Sequence, residues 1–170
     1  MSAQQIHIVQ GEHAVGAHAD TVISTLLGSC VACCLWDETA GVGGMNHMLL
    51  AAGRVQSAVD TLSDINAIET LINALTRIGA QRNRLQAKAF GGARMVSGLS
   101  DIGQQNADFT LQYLHREGIE VVTHSLGGTN ARNIRFWPAT GRVMQRVSED
   151  KVREVEMRPA RQEGNGLELF

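Results

Sequence analysis

The chain has 170 residues, with 15 basic against 17 acidic and a formal net charge of -2. That length suits one domain with a sizeable core, since domains commonly span about 100 to 200 residues. The near-balanced charge excludes a basic field for nucleic acid and a polybasic patch for anionic lipid. Three cysteines, two of them adjacent, do not make a disulfide framework.

Residues 1–7 lack the basic start and apolar run of a signal peptide, and no later stretch approaches the roughly 20 apolar residues of a membrane helix. A cytoplasmic protein with reduced thiols is expected. The 18 glycines and two prolines point to many tight turns between short elements.

A first strand is expected over residues 6–9, ended by Gly11, and a second over 22–27, broken by Gly28 and Ser29. Two apolar runs, 30–36 and 42–50, flank the polar stop Asp37-Glu38-Thr39-Ala40-Gly41 and read as a hairpin. With residues 37–40 as the loop, Trp36 faces Gly41 and Cys30 falls opposite His47. Thiol and imidazole then share a face, with backbones about 5 Å apart. A one-residue change in loop length would turn His47 to the other face.

Residues 51–57 form a small-residue loop. Ser63-Asp64 can cap a helix running to about residue 78, with Gly79 as its stop. Ile65, Ile68, Ile72 and Leu75 make its apolar stripe, flanked by Leu71 and Ile78. A strand over 85–90 runs into Gly91-Gly92-Ala93-Arg94-Met95, where the glycines suggest close backbone approach. No G-x-x-x-x-G-K motif supports a phosphate cradle there. Residues 106–117 read as a second helix, buried through Ala107, Leu111 and Leu114. Strands follow over 119–124, 133–137 and 142–147, the last two forming a hairpin across 138–141.

The expected fold class is α/β (α+β): a single-domain layered sandwich with a mixed sheet and two principal helices. The domain spans 1–157. Residues 158–170 are expected to be a flexible tail, with Leu167-Glu168-Leu169-Phe170 a frayed end in preference to a partner-docking motif.

Three chemistries compete for the cysteines. Cys30 and Cys33 have C-x-x-C spacing, but residues three apart on a strand face opposite ways, against a redox pair. A metal site from Cys30, Cys34 and His47 lacks a fourth ligand. The third reading makes Cys30 a nucleophile with His47 as base. Cys33 and Cys34 are taken as core residues, and His7, His13, His18 and His115 as surface residues. His124 reads as a satisfied strand-edge residue. Gly28-Ser29 beside a nucleophile would let backbone N–H groups converge on a substrate oxygen, although Gly-Ser is also an ordinary turn. From the residues alone, a Cys/His hydrolase or transferase leads.

Leu27-Gly28-Ser29-Cys30-Val31-Ala32, followed by Gly43-Gly44-Met45-Asn46-His47-Met48-Leu49, closely resembles the chemoreceptor glutamine deamidase family, CheD. The match continues through Gly91-Gly92-Ala93 with Met95, Ile102-Gly103, Asn106, and Gly127-Gly128 with Arg132, so it covers about residues 11–147. The resemblance implies a thiol-dependent hydrolase that converts glutamines of methyl-accepting chemotaxis receptors to glutamate, with no cofactor or metal. Receptor ester hydrolysis is also credited to some members.

The implied partners are the cytoplasmic helical bundle of those receptors and a CheC-type phosphatase, which leaves a chemotaxis adaptor as the alternative function. The resemblance makes Cys30 the nucleophile and His47 the general base, with Ser29 and Cys30 N–H groups at the oxyanion. It also implies a threonine shortly before the turn. Thr25 supplies the residue type, while the counted position in longer members falls on Ser24, and Thr25 is chosen because strand neighbours face opposite ways. Gln105 in place of a common arginine and Ala51 in place of a common proline depart from the pattern. A receptor-sized substrate leads us to expect a shallow, open groove at the hairpin.

Overall fold

A computed structural model describes residues 4–49, 58–95, 101–148 and 167–170. The expected 51–57 loop, and all of the expected tail before residue 167, lie outside them. In chain order the elements are β1 (Gln5–His7), β2 (His13–Gly16), β3 (Val22–Leu27), β4 (Val31–Asp37), β5 (Val42–Asn46) and α1 (Ala58–Arg77). They continue as β6 (Gln86–Gly91), α2 (Ile102–Arg116), β7 (Glu120–Leu126), β8 (Arg132–Trp137), β9 (Arg142–Val147) and β10 (Leu167–Leu169).

The strands form two five-stranded sheets, ordered β1-β3-β8-β9-β10 and β2-β5-β4-β6-β7. Both are mixed, because β1 runs parallel to β3 and β6 parallel to β7. The expected α+β sandwich with two helices is what the chain adopts, with two sheets where one was read.

Every residue of β4 is buried, and its alternation sorts the core into two layers. Val31, Cys33 and Leu35 pack with Ile68, Leu71, Ile72 and Leu75 of α1 and with Tyr113 and Leu114 of α2. Cys30, Ala32, Cys34 and Trp36 instead meet Ile23 and Leu27 of β3 and Ile134 and Phe136 of β8. The order is therefore helices, sheet, sheet. The α1 stripe falls where its 3.6-residue period puts it, except that Ile78 is 41% exposed. Upstream, α1 begins at Ala58, so the Ser63-Asp64 pair lies inside the helix and does not cap it.

The hairpin register differs from the expected one. Asp37 pairs with Val42, Trp36 with Gly43 and Cys34 with Met45, so the turn is 38–41. Asp37 is a fully buried anchor: its carboxylate accepts from Ala40 N (3.0 Å), Gln81 N (2.9 Å) and Arg84 Nε (2.9 Å). Burial alone would push this carboxyl up, but those donors hold it below its usual range. The slip brings Val31, not Ser29, into a bridge with Met48. Because the slip is two residues, His47 keeps its face and stands diagonal to Cys30 instead of opposite it.

Residues 167–169 are not a frayed end. β10 pairs with β9, Phe170 exchanges backbone bonds with Val143 (2.7 and 3.0 Å), and its ring meets Phe90 edge-on. Buried Lys88 donates to the carbonyls of Gly141 (2.7 Å) and Phe170 (2.9 Å) and lies over Trp36.

Candidate active site

The turn carrying Cys30 is held from behind by a glycine knot. Gly92 N donates to Cys30 O (2.9 Å), Ala93 N to Gly28 O (3.0 Å), and Asn106 Nδ2 to Ser29 O (2.9 Å). Three successive carbonyls are thereby fixed. Among the described residues the N–H groups of Ser29 and Cys30 have no protein acceptor, so they are available to a developing oxyanion. Asn106 reaches Ser29 because α2 starts at Ile102, capped by Asp101, upstream of the expected start at residue 106. Gly103 allows that first turn to press on the Gly92 and Ala93 carbonyls. Farther out, Arg132 donates to the carbonyls of Ser125 and Gly127, while Gly127 N and Arg94 N bond Gly91 O and Gly128 O.

Thr25 of β3 alternates inward with Ile23 and Leu27, whereas Ser24 faces outward and contacts His7 Nδ1 at 3.2 Å. Thr25, not Ser24, therefore meets His47. Its Oγ1 lies 2.8 Å from Ile8 O and 2.7 Å from His47 Nδ1. A carbonyl only accepts, so the hydroxyl donates to Ile8 and its oxygen accepts the Nδ1 proton of His47. The neutral ring then keeps a lone pair on Nε2, which is buried and, among the described residues, without a partner. This is the tautomer a general base needs.

Cys30 Sγ–H donates to Gln10 Oε1 at 3.9 Å, and no hydrogen bond joins it to His47. Burial pushes the thiol up to about 11. Burial, then the charge on His7, brings the imidazole down to about 4. The resting pair is thus thiol and imidazole, both neutral, and the proton moves as sulfur attacks.

Activity should accordingly persist at pH 5.5, below the ordinary imidazole pKa of about 6.5, and a rate profile that falls with a midpoint near 6.5 would contradict this. The folded-state pKa of His47 is depressed, so its contribution to stability is complete above the unfolded value and is lost as pH falls from about 6.5 to about 4. The shift corresponds to on the order of 3 kcal/mol. Urea unfolding between pH 6.5 and 5, above the range where lowered carboxyls such as Asp37 add their own dependence, should show a steeper slope in the native protein than in His47→Gln.

Cys30 is 4% exposed and His47 3%, so the expected open groove is covered at the thiol. A cavity of about 260 Å³ opens beside His47, lined also by Gln10, Glu12, Asn66 and Thr70. Gln10 was missed by sequence reasoning, since a polar residue beside Gly11 carries no signal beyond a turn. Cys33 lies in the helix-side layer, on the opposite face from Cys30. Cys34 is buried between the sheets.

The family model described as CheD chemotactic sensory transduction matches residues 64–147. A protein of Agrobacterium fabrum named probable chemoreceptor glutamine deamidase CheD is 48% identical over 85% of this chain and 80% of its own. One of the same name from Cereibacter sphaeroides is 51% identical over 89% of this chain and 78% of its own. Matches that long necessarily span both Cys30 and His47. Among solved structures, Bacillus licheniformis hypothetical protein YfiH aligns with a TM-score of 0.45 and 9% identity, over 66% of this chain and 49% of that one, too distant to inform function. On the identity and coverage of those curated relatives, the chain belongs to the CheD family.

Proposed function

We propose that this protein hydrolyses the side-chain amide of glutamines on chemoreceptors, producing glutamate and ammonia, with Cys30 as nucleophile and His47 as general base and acid. The observation that carries the reading is the Ile8–Thr25–His47 relay, which leaves an unpartnered Nε2 on the face that bears the Cys30 thiol. The relatives' name supplies the substrate.

As sulfur attacks the amide carbon, His47 Nε2 takes the thiol proton and the amide oxygen gains charge beside the Ser29 and Cys30 N–H groups. The ring returns the proton to nitrogen, so ammonia leaves and a thioester remains. Water, deprotonated by the same Nε2, cleaves it to glutamate and restores the thiol. Each turnover turns a neutral amide into a carboxylate, changing the repulsion between neighbouring receptor helices. The partner implied is the receptors' cytoplasmic helical bundle, which also implies a cytoplasmic location. A CheC-type phosphatase docking over the same surface would compete with it.

The test is incubation of a receptor cytoplasmic fragment with the full chain, followed by intact mass and peptide sequencing. Conversion of particular glutamines to glutamate is expected. No mass change on any receptor fragment would overturn the reading.

Thr25 is a positioning residue. Thr25→Val removes the acceptor for Nδ1–H and should lower kcat by about 10- to 100-fold with KM little changed, while Thr25→Ser restores most of the rate. A Thr25→Val change that raised KM alone would remove Thr25 from this role.

A further inference from the structure

The thiol proton of Cys30 is directed not at the base but at a carboxamide, the functional group on which the proposed reaction acts. Gln10 Oε1 is its acceptor, and the base's own Nε2 has no partner. We infer that the Gln10 side chain is a built-in competitor: its carboxamide occupies the position beside Cys30 that a substrate glutamine must take, and substrate binding displaces it. The inference rests on the proposed deamidase reading and concerns the regulation of that same site.

The local structure supports a side chain that is placed but releasable. The turn between β1 and β2 is fixed by Glu12 N to Val9 O (3.0 Å) and by Val9 N to Glu12 Oε1 (2.8 Å). It is also tied to the site, because Gly11 N donates to His47 O (2.9 Å) and His47 N to Glu12 O (3.0 Å). The backbone of Gln10 is therefore held against the histidine strand. Its side chain, by contrast, belongs to an exposed residue, and Gln10 shares with His47 the lining of the 260 Å³ cavity. With Gln10 in place, its carboxamide oxygen stands 3.9 Å from the thiol sulfur as the acceptor of the thiol. Withdrawal of the carboxamide opens the sulfur and frees its proton for the base. A receptor surface carrying glutamine at the right height exchanges one carboxamide for another.

The experiment compares the full chain with its Gln10→Ala and Gln10→Asn variants in two assays. Alkylation of Cys30 by iodoacetamide, followed by peptide mass, reads the contact independently of any substrate. It should be about twofold faster in Gln10→Ala, the factor matching the loss of a weak S–H···O contact at 3.9 Å, and intermediate in Gln10→Asn. Deamidation of a receptor fragment should gain a similar factor in kcat/KM, through a lower KM. Unchanged alkylation would overturn the inference. So would faster alkylation with lower kcat/KM, which would make Gln10 an oxyanion donor instead of a competitor. A wild-type chain that deamidates no receptor fragment would overturn the proposed function, while the alkylation arm would still decide the contact.

Discussion

Replacing Cys30 by alanine is expected to reduce receptor deamidation by about 10³-fold or more, because loss of a nucleophile removes the covalent route and leaves only binding and oxyanion stabilisation. The substitution is expected to leave the fold intact. Cys30 lies at the end of the inter-sheet core, its backbone is fixed by Gly92, and alanine removes only the sulfur. Circular dichroism and unfolding should thus place the variant within about 1 kcal/mol of the parent. Deamidation persisting in the variant would show that catalysis runs through another group. Lost deamidation with chemotaxis intact in cells would favour the adaptor alternative as the biological role.

The second large effect is on stability. Gly91 has φ of 109°, and a Cβ built there would stand 2.1 Å from Cys30 O. Gly91→Ala therefore combines left-handed backbone strain of about 1 to 2 kcal/mol with a clash against backbone that cannot swing aside. A loss of about 3 kcal/mol or more is expected, equivalent to a fall in Tm of about 6 to 12 °C. The clash lies on the nucleophile's own carbonyl, so any protein that folds should also lose kcat. Gly79→Ala, at φ 111° but in open space at the end of α1, is the control. It carries the strain without the clash and should cost less and leave kcat alone. Equal losses in the two variants would show that the Cys30 contact adds nothing.

What the sequence revealed follows the reach of its signals. β3 was read over the residues it occupies because its β-branched run ends at Gly28, and β9 because Pro138 and Gly141 mark the turn before it. The shared face of Cys30 and His47 survived an error in the turn, since a two-residue slip preserves side-chain parity on a strand. The reason for the slip was not local: Asp37 looks like a loop residue until Gln81 and Arg84, distant in sequence, supply its donors.

β2 was invisible because it is only four residues long, one exposed and three half-buried, too short for its alternation to register before it pairs with β5. The start of α2 was hidden by Gly103, a poor helix former that is needed where the helix touches the glycine knot. The choice of Thr25 over Ser24 followed from strand parity, but the relay to Ile8 required the two sheets to be packed. β10 and the burial of Lys88 likewise depend on contacts between chain segments far apart in sequence.

The central claim is that Cys30 becomes covalently attached to the substrate carbonyl and His47 manages the proton. Rapid acid quench of the full chain mixed with a glutamine-bearing receptor peptide, followed by mass mapping, tests it most directly. The account predicts a transient adduct on the Cys30 peptide whose mass is that of the receptor peptide less one ammonia; in His47→Gln, the same thioester formed from an activated ester of the glutamate peptide, with loss of its alcohol, should persist longer than in the parent. Glutamate appearing at full rate with Cys30 never modified, at any quench time, would contradict it.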